Sequence, residues 1–190
     1  MTGPAPIVYY LINTARAENM RYLVLISIVF LLSSSAVGEA ARIETAPEVG
    51  SYAPPFSLKD LEGKTVSLEA LKGKVILLNF WATYCVPCKA EMSSMNALYE
   101  TLKDKGFLVL AVSIDTSVKP VKSFASVKKL RFPVLLDKDK EVFFDSYAAL
   151  GLPTSFLIDR NGVIVEKVVG PKEWNTADVK DRILKLLTTK

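Results

Sequence analysis

Cys85 and Cys88 are the only cysteines in a chain of 190 residues, separated by Val86 and Pro87. Two thiols at that spacing can close and reopen a disulfide across one helical turn with little backbone change. A structural bridge is the bland alternative. Disulfide stabilisation grows with the length of the loop that is closed, however, and so short a loop restrains almost nothing. The pair therefore reads as redox-active, and its two members have different tasks. Cys85 precedes a helical pattern, where unpaired N–H groups and the positive end of the helix dipole favour a thiolate. Pro87 suits the first turn because it has no N–H to leave unpaired. Cys85 is the expected attacking thiol. Cys88, one turn further in and more shielded, is suited to attack the mixed disulfide and release the substrate. That step needs a proton acceptor, and Glu91, three residues on, falls on the same helix face.

Several other chemistries are excluded. The chain has no histidine, so a Cys–His pair, a His-ligated metal and an imidazole base are ruled out. Two cysteines alone cannot build a tetrahedral zinc site. No metal is expected, and no cofactor beyond the redox-active disulfide Cys85–Cys88. The 24 basic and 20 acidic residues are interspersed, and the net charge of +4 reads as a solubility feature with no nucleic-acid patch.

The elements that must hold the pair are legible around it. Val75 to Trp81 is a continuous apolar run of strand length, as expected of a central strand buried on both faces. From Pro87 to Lys105 apolar residues recur at helical spacing (Met92, Met95, Leu98, Leu102), and Gly106 ends the helix. Phe107 to Asp115 reads as a second buried strand, Val118 to Leu130 as an amphipathic helix, Phe132 to Asp137 as a third strand and Lys140 to Leu150 as a short helix. Pro153 to Asp159 and Val163 to Val169 flank Arg160-Asn161-Gly162, a hairpin signal. Thr176 to Leu187 closes the chain as a helix. Upstream, Gly50 to Leu58 is extended, because each proline disfavours helix for the residue before it, and Thr65 to Leu68 is a short strand. Alternating strands and helices that end in a hairpin imply a three-layer α/β sandwich, parallel at first with an antiparallel edge.

The N-terminal part has a different character. Arg21 is followed by an apolar run from Tyr22 to Leu32 and then by small and polar residues to Ala41, the three-part layout of a secretory signal. Met20 is the expected initiator. A cleaved signal is favoured over a retained membrane anchor, since the run is short of the roughly 20 residues that a spanning helix needs. Both readings place the domain outside the cytoplasmic membrane, in the periplasm or on the membrane's outer face. The expected organisation is an extension with signal or anchor over 1–40, a linker over 41–51 and a domain over 52–190.

The block from Asn79 to Met92, together with Gly151-Leu152-Pro153-Thr154-Ser155-Phe156-Leu157-Ile158-Asp159, resembles the TlpA/ResA group of exported thioredoxin-like thiol-disulfide oxidoreductases. The resemblance runs from about Gly50 to Lys190. It implies a thioredoxin-like α/β/α sandwich with an inserted helix and strand between Lys119 and Leu150. The group's cysteines fall on Cys85 and Cys88, its glutamate on Glu91 and its cis-proline loop on Pro153, which leaves the Leu152 backbone to pair with a substrate strand. Thioredoxin has a buried aspartate where this chain has Asn79, which cannot ionise. Tyr84 stands where the group usually has tryptophan, and with Trp81 and Leu152 it is assigned to the substrate surface. The implied activity is reduction of disulfides in exported proteins, with apocytochrome c as a candidate client and a membrane thiol-disulfide donor as electron source. The alternatives are a peroxiredoxin-type peroxide reductase, whose Thr/Pro pattern before the cysteine is missing here, a general periplasmic disulfide oxidase or isomerase, and a non-catalytic scaffold.

Overall fold

The computed structural model describes residues 46–189. The expected signal or anchor over 1–40 lies outside the described residues. Seven strands form one mixed sheet: β1 (Ser57–Asp60), β2 (Thr65–Ser67), β3 (Val75–Trp81), β4 (Phe107–Ser113), β5 (Val134–Leu136), β6 (Thr154–Ile158) and β7 (Ile164–Val169). Their order across the sheet is β2-β1-β5-β4-β3-β6-β7. All seven residues of β3 are buried, as a strand flanked on both sides and covered on both faces requires. β3, β4 and β5 are mutually parallel. β6 and β7 continue the sheet antiparallel on one side, and β1 and β2 do so on the other. Antiparallel pairing therefore occurs at both edges and not only at the expected one.

Successive β3 side chains point to opposite faces. Phe80 joins Phe143, Tyr147 and Phe156 in an aromatic cluster on one face, with ring centroids 5.3–6.3 Å from that of Phe80. Asn79 and Trp81 lie on the other face, against α1 (Val86–Leu102) and α2 (Val118–Val127). α3 (Ala177–Thr188) ends the described chain. Among the described residues no helix is long and apolar enough to cross a membrane.

The helix expected over Lys140 to Leu150 is instead a single π-helical turn, Val142–Ser146. The Asp137 carboxylate accepts the Phe143 N–H at 2.8 Å and the Val142 N–H at 3.4 Å. Left-handed residues at Lys140 (φ 63°) and Ala148 (φ 43°) stop any extension. The turn places Phe143 and Tyr147 over Phe80, and the Tyr147 hydroxyl donates to the Pro54 carbonyl at 2.9 Å. The β6–β7 hairpin closes on Gly162 at φ 87°, where the Asp159 carboxylate accepts the Asn161 and Val163 N–H groups.

Candidate redox site

The chain leaves β3 at Trp81 and enters α1 through Ala82-Thr83-Tyr84-Cys85. This turn is fastened to the neighbouring strand. The Asp115 carboxylate, just past the end of β4, accepts the Thr83 N–H at 2.9 Å, the Thr83 hydroxyl at 2.6 Å and the Ser113 hydroxyl at 2.7 Å. Parallel pairing of Trp81 with Ser113 brings the two strand ends level. Asp115 was not legible as a site residue, because an acid after a strand carries no local mark of its distant partner.

Cys85 occupies the N-cap position of α1, with extended backbone, and its Sγ accepts the Cys88 N–H at 3.2 Å. Backbone donors at a helix start stabilise negative charge on that sulfur. The two cysteines are joined in a disulfide with their Cα atoms 5.3 Å apart. Cys85 is 9 % exposed and Cys88 not at all, so Cys85 is the more accessible of the two.

Glu91 is buried, at 4 % exposure. Its Oε1 accepts the Asn79 side-chain amide at 2.7 Å. Its Oε2 accepts the Lys172 backbone N–H at 3.1 Å and the Trp174 indole N–H at 3.2 Å. Burial raises the proton affinity of this carboxyl above that of an ordinary glutamate, and the Lys172, Asn79 and Trp174 donors pull it partly back. From the sequence, Asn79 is only the loss of an ionisable group; in the fold it is the partner of Glu91 and donates also to the Ser155 hydroxyl at 2.9 Å. Trp174 escapes sequence reading, since nothing local ties it to Glu91.

Pro153 stands immediately before β6, and its peptide bond with Leu152 is cis. Pairing of Phe80 with Thr154 puts Pro153 at the end of the sheet where β3 delivers the cysteines. Its carbonyl accepts the Gly170 N–H at 2.8 Å, and the Thr154 hydroxyl donates to the Gly151 carbonyl at 2.7 Å. Leu152 is half-buried, while Tyr84 is 65 % and Leu150 93 % exposed. Trp81 does not belong to that surface. It is completely buried, with its ring 5.2 Å from that of Phe124 on α2, because it is a β3 residue on the face covered by helices. Proximity to the cysteines in sequence does not bring its side chain to the surface.

Residues 49–167 match the AhpC/TSA family. The thiol-disulfide oxidoreductase ResA of Bacillus cereus strain ATCC 10987 is 39% identical over 166 residues, covering 85% of this chain and 94% of the relative. ResA of Bacillus subtilis strain 168 is 43% identical over 121 residues, 64% of this chain and 67% of the relative. The crystal structure of the thioredoxin domain of a Bacteroides vulgatus thiol-disulfide oxidoreductase superposes with a TM-score of 0.66 at 30% identity, over 75% of this chain and 100% of that one. A thiol:disulfide interchange protein of Chlorobium tepidum TLS gives 0.63 at 29% identity, over 75% and 99%. The chain belongs to the thioredoxin-like AhpC/TSA family and, within it, to the ResA thiol-disulfide oxidoreductases.

Proposed function

We propose that this oxidoreductase works outside the cytoplasmic membrane as a reductant of disulfides in exported proteins, with apocytochrome c as a candidate client. The single observation that carries the mechanism is the placement of a buried carboxyl, Glu91, three residues beyond a wholly buried Cys88 on one helix. In the reduced protein the Cys85 thiolate attacks one sulfur of a client disulfide. A new Cys85–client bond forms, the client S–S bond breaks, and the first client sulfur leaves as a thiolate. Cys88 then passes its proton to Glu91 and attacks the Cys85 sulfur; the second client sulfur departs and the Cys85–Cys88 disulfide closes. Two electrons have moved from the pair to the client. Glu91 returns the proton to solvent or to the leaving thiolate, and a membrane thiol-disulfide donor restores the pair. A group whose proton affinity is raised by burial suits this relay better than an ordinary carboxyl would, since a proton acceptor works best near the ambient pH.

The dipeptide between the cysteines supports the reductant direction. Val86-Pro87 offers no charge or extra donor to stabilise the Cys85 thiolate in the way a strong oxidant needs. Equilibration of the pair with dithiothreitol or glutathione tests this. A potential near thioredoxin's, about −270 mV, is expected, and one near about −120 mV would overturn the reductant reading. A Cys88→Ala variant should trap clients through Cys85, and mass spectrometry of the adducts identifies them. Rapid consumption of peroxide by that variant, with no protein adduct, would instead favour peroxide reduction.

A further inference from the structure

Residues 170–176, the strap between β7 and α3, contribute nothing to the cysteine motif, yet they are fastened around it at four points. The Gly170 N–H donates to the Pro153 carbonyl. The Lys172 N–H and the Trp174 indole N–H both donate to Glu91 Oε2. The Trp174 backbone N–H donates at 3.2 Å to the Ser94 hydroxyl, which itself donates to the Glu91 carbonyl at 2.8 Å. Trp174 and Glu91 are both buried, so the indole is part of the packing that keeps water from the carboxyl while its N–H supplies a donor in exchange. One side chain thus exerts two opposed influences on the carboxyl.

We propose that Trp174 is a positioning residue of the redox site: with the Lys172 amide on Oε2 and Asn79 holding Oε1, it fixes the Glu91 carboxyl beside Cys88 and stabilises its charge. This rests on the reading of Glu91 as the proton acceptor for Cys88. The elements packed around Glu91 leave it as the titrating group of the cradle. β3 and β6 present uncharged Asn79 and Ser155. The strap and β7 bring Lys172 and Glu166, which pair with each other at 2.7 Å, and Glu166 also pairs with Arg182 of α3. The Lys172 ammonium lies 5.0 Å from the centre of the Trp174 ring. Glu173 and Asp178 are exposed, and on α1 the cysteines do not titrate while joined.

The test is a pH titration of the oxidised protein by NMR, which is independent of thiol chemistry. In the unaltered protein the Trp174 indole resonance should shift with the same midpoint as the Glu91 carboxyl carbon, and the shift should vanish in Glu91→Gln. Trp174→Phe keeps the ring and removes the donor. It should move the Glu91 midpoint upward by about one pH unit, roughly a tenfold gain in proton affinity. An indole resonance that ignores the Glu91 titration overturns the proposal, as does an unchanged or lowered midpoint in folded Trp174→Phe. If that variant does not fold, the titration of the unaltered protein decides alone. The proton-acceptor reading fails separately: Glu91→Gln would then leave the pH profile of thiol alkylation in the reduced protein unchanged, whatever the oxidised protein shows.

Discussion

Replacing Asn79 with aspartate (N79D) keeps the shape of the side chain but exchanges a donor for a second carboxylate oxygen, 2.7 Å from Glu91 Oε1 in the present geometry. Two like unit charges at that separation repel by about 6 kcal/mol at an effective dielectric of about 20. Both side chains are buried, so the pair cannot ionise fully near neutral pH and retains one proton between the two carboxyls. In the unfolded chain both groups are ordinary carboxyls, ionised above about pH 5. The folded variant then holds more protons than the unfolded one, and its stability falls with rising pH by about 1.4 kcal/mol per unit while the shared proton stays bound. The native protein shows a milder form of the same effect, because Glu91 is already raised from its ordinary 4.5, chiefly by burial. Its stabilising contribution is complete below that value and is lost as pH rises through the folded one. Urea denaturation of both oxidised proteins between about pH 5 and pH 9 measures the difference. The N79D curve should keep falling after the native curve has levelled, opening a gap of roughly 3 kcal/mol over two further units. If both curves level at the same pH, the Asn79–Glu91 contact is not the one described.

Three further substitutions probe the surroundings. Thr83→Val removes the hydroxyl that donates to Asp115 but leaves the Thr83 N–H and the Ser113 hydroxyl in place; a loss of about 1–2 kcal/mol is expected by urea denaturation for one charge-assisted bond at a half-buried turn. Trp81→Phe discards an indole N–H that is buried without a partner. It should cost under about 2 kcal/mol, less than the roughly 3–5 of an aromatic-to-alanine core change, and should leave the KM for a protein client unaltered. Tyr84→Ala, at an exposed position, should change stability by no more than about 0.5 kcal/mol and raise the client KM, with the redox potential of the pair unmoved.

What could be read from the sequence was what short-range physics determines. The unbroken apolar run of β3, the helical spacing of α1 and the Asn161-Gly162 turn each announce themselves within a few residues. The expectation that Cys85 attacks rests on its place at a helix start, which is a local property and which the fold retains. Glu91 could be nominated from its spacing to Cys88, but its three donors could not, since Asn79, Lys172 and Trp174 lie 12, 81 and 83 residues away along the chain. The same limit hid Asp115, 32 residues from the threonine it holds. The π-helical turn at Val142–Ser146 depends on the Asp137 carboxylate and on aromatic rings from two other segments, β3 and β6, so helical periodicity alone overstated its length. Trp81 was assigned to the surface by its neighbours in sequence, although strand alternation already put it on the face of Asn79.

The Gly170–Trp174 strap has one more consequence, for how such an enzyme changes over generations. It touches the loop expected to meet clients through the Pro153 carbonyl, and the buried acid through Lys172 and Trp174, within five consecutive residues. A mutation selected here for a new client therefore also disturbs the donors that hold Glu91. Lineages can refit the exposed side chains of Tyr84, Val86 and Leu150 independently, whereas changes in the strap act on the Pro153 loop and on the Glu91 carboxyl together. Among related chains, variation should accumulate at the first set and come in correlated pairs at the second.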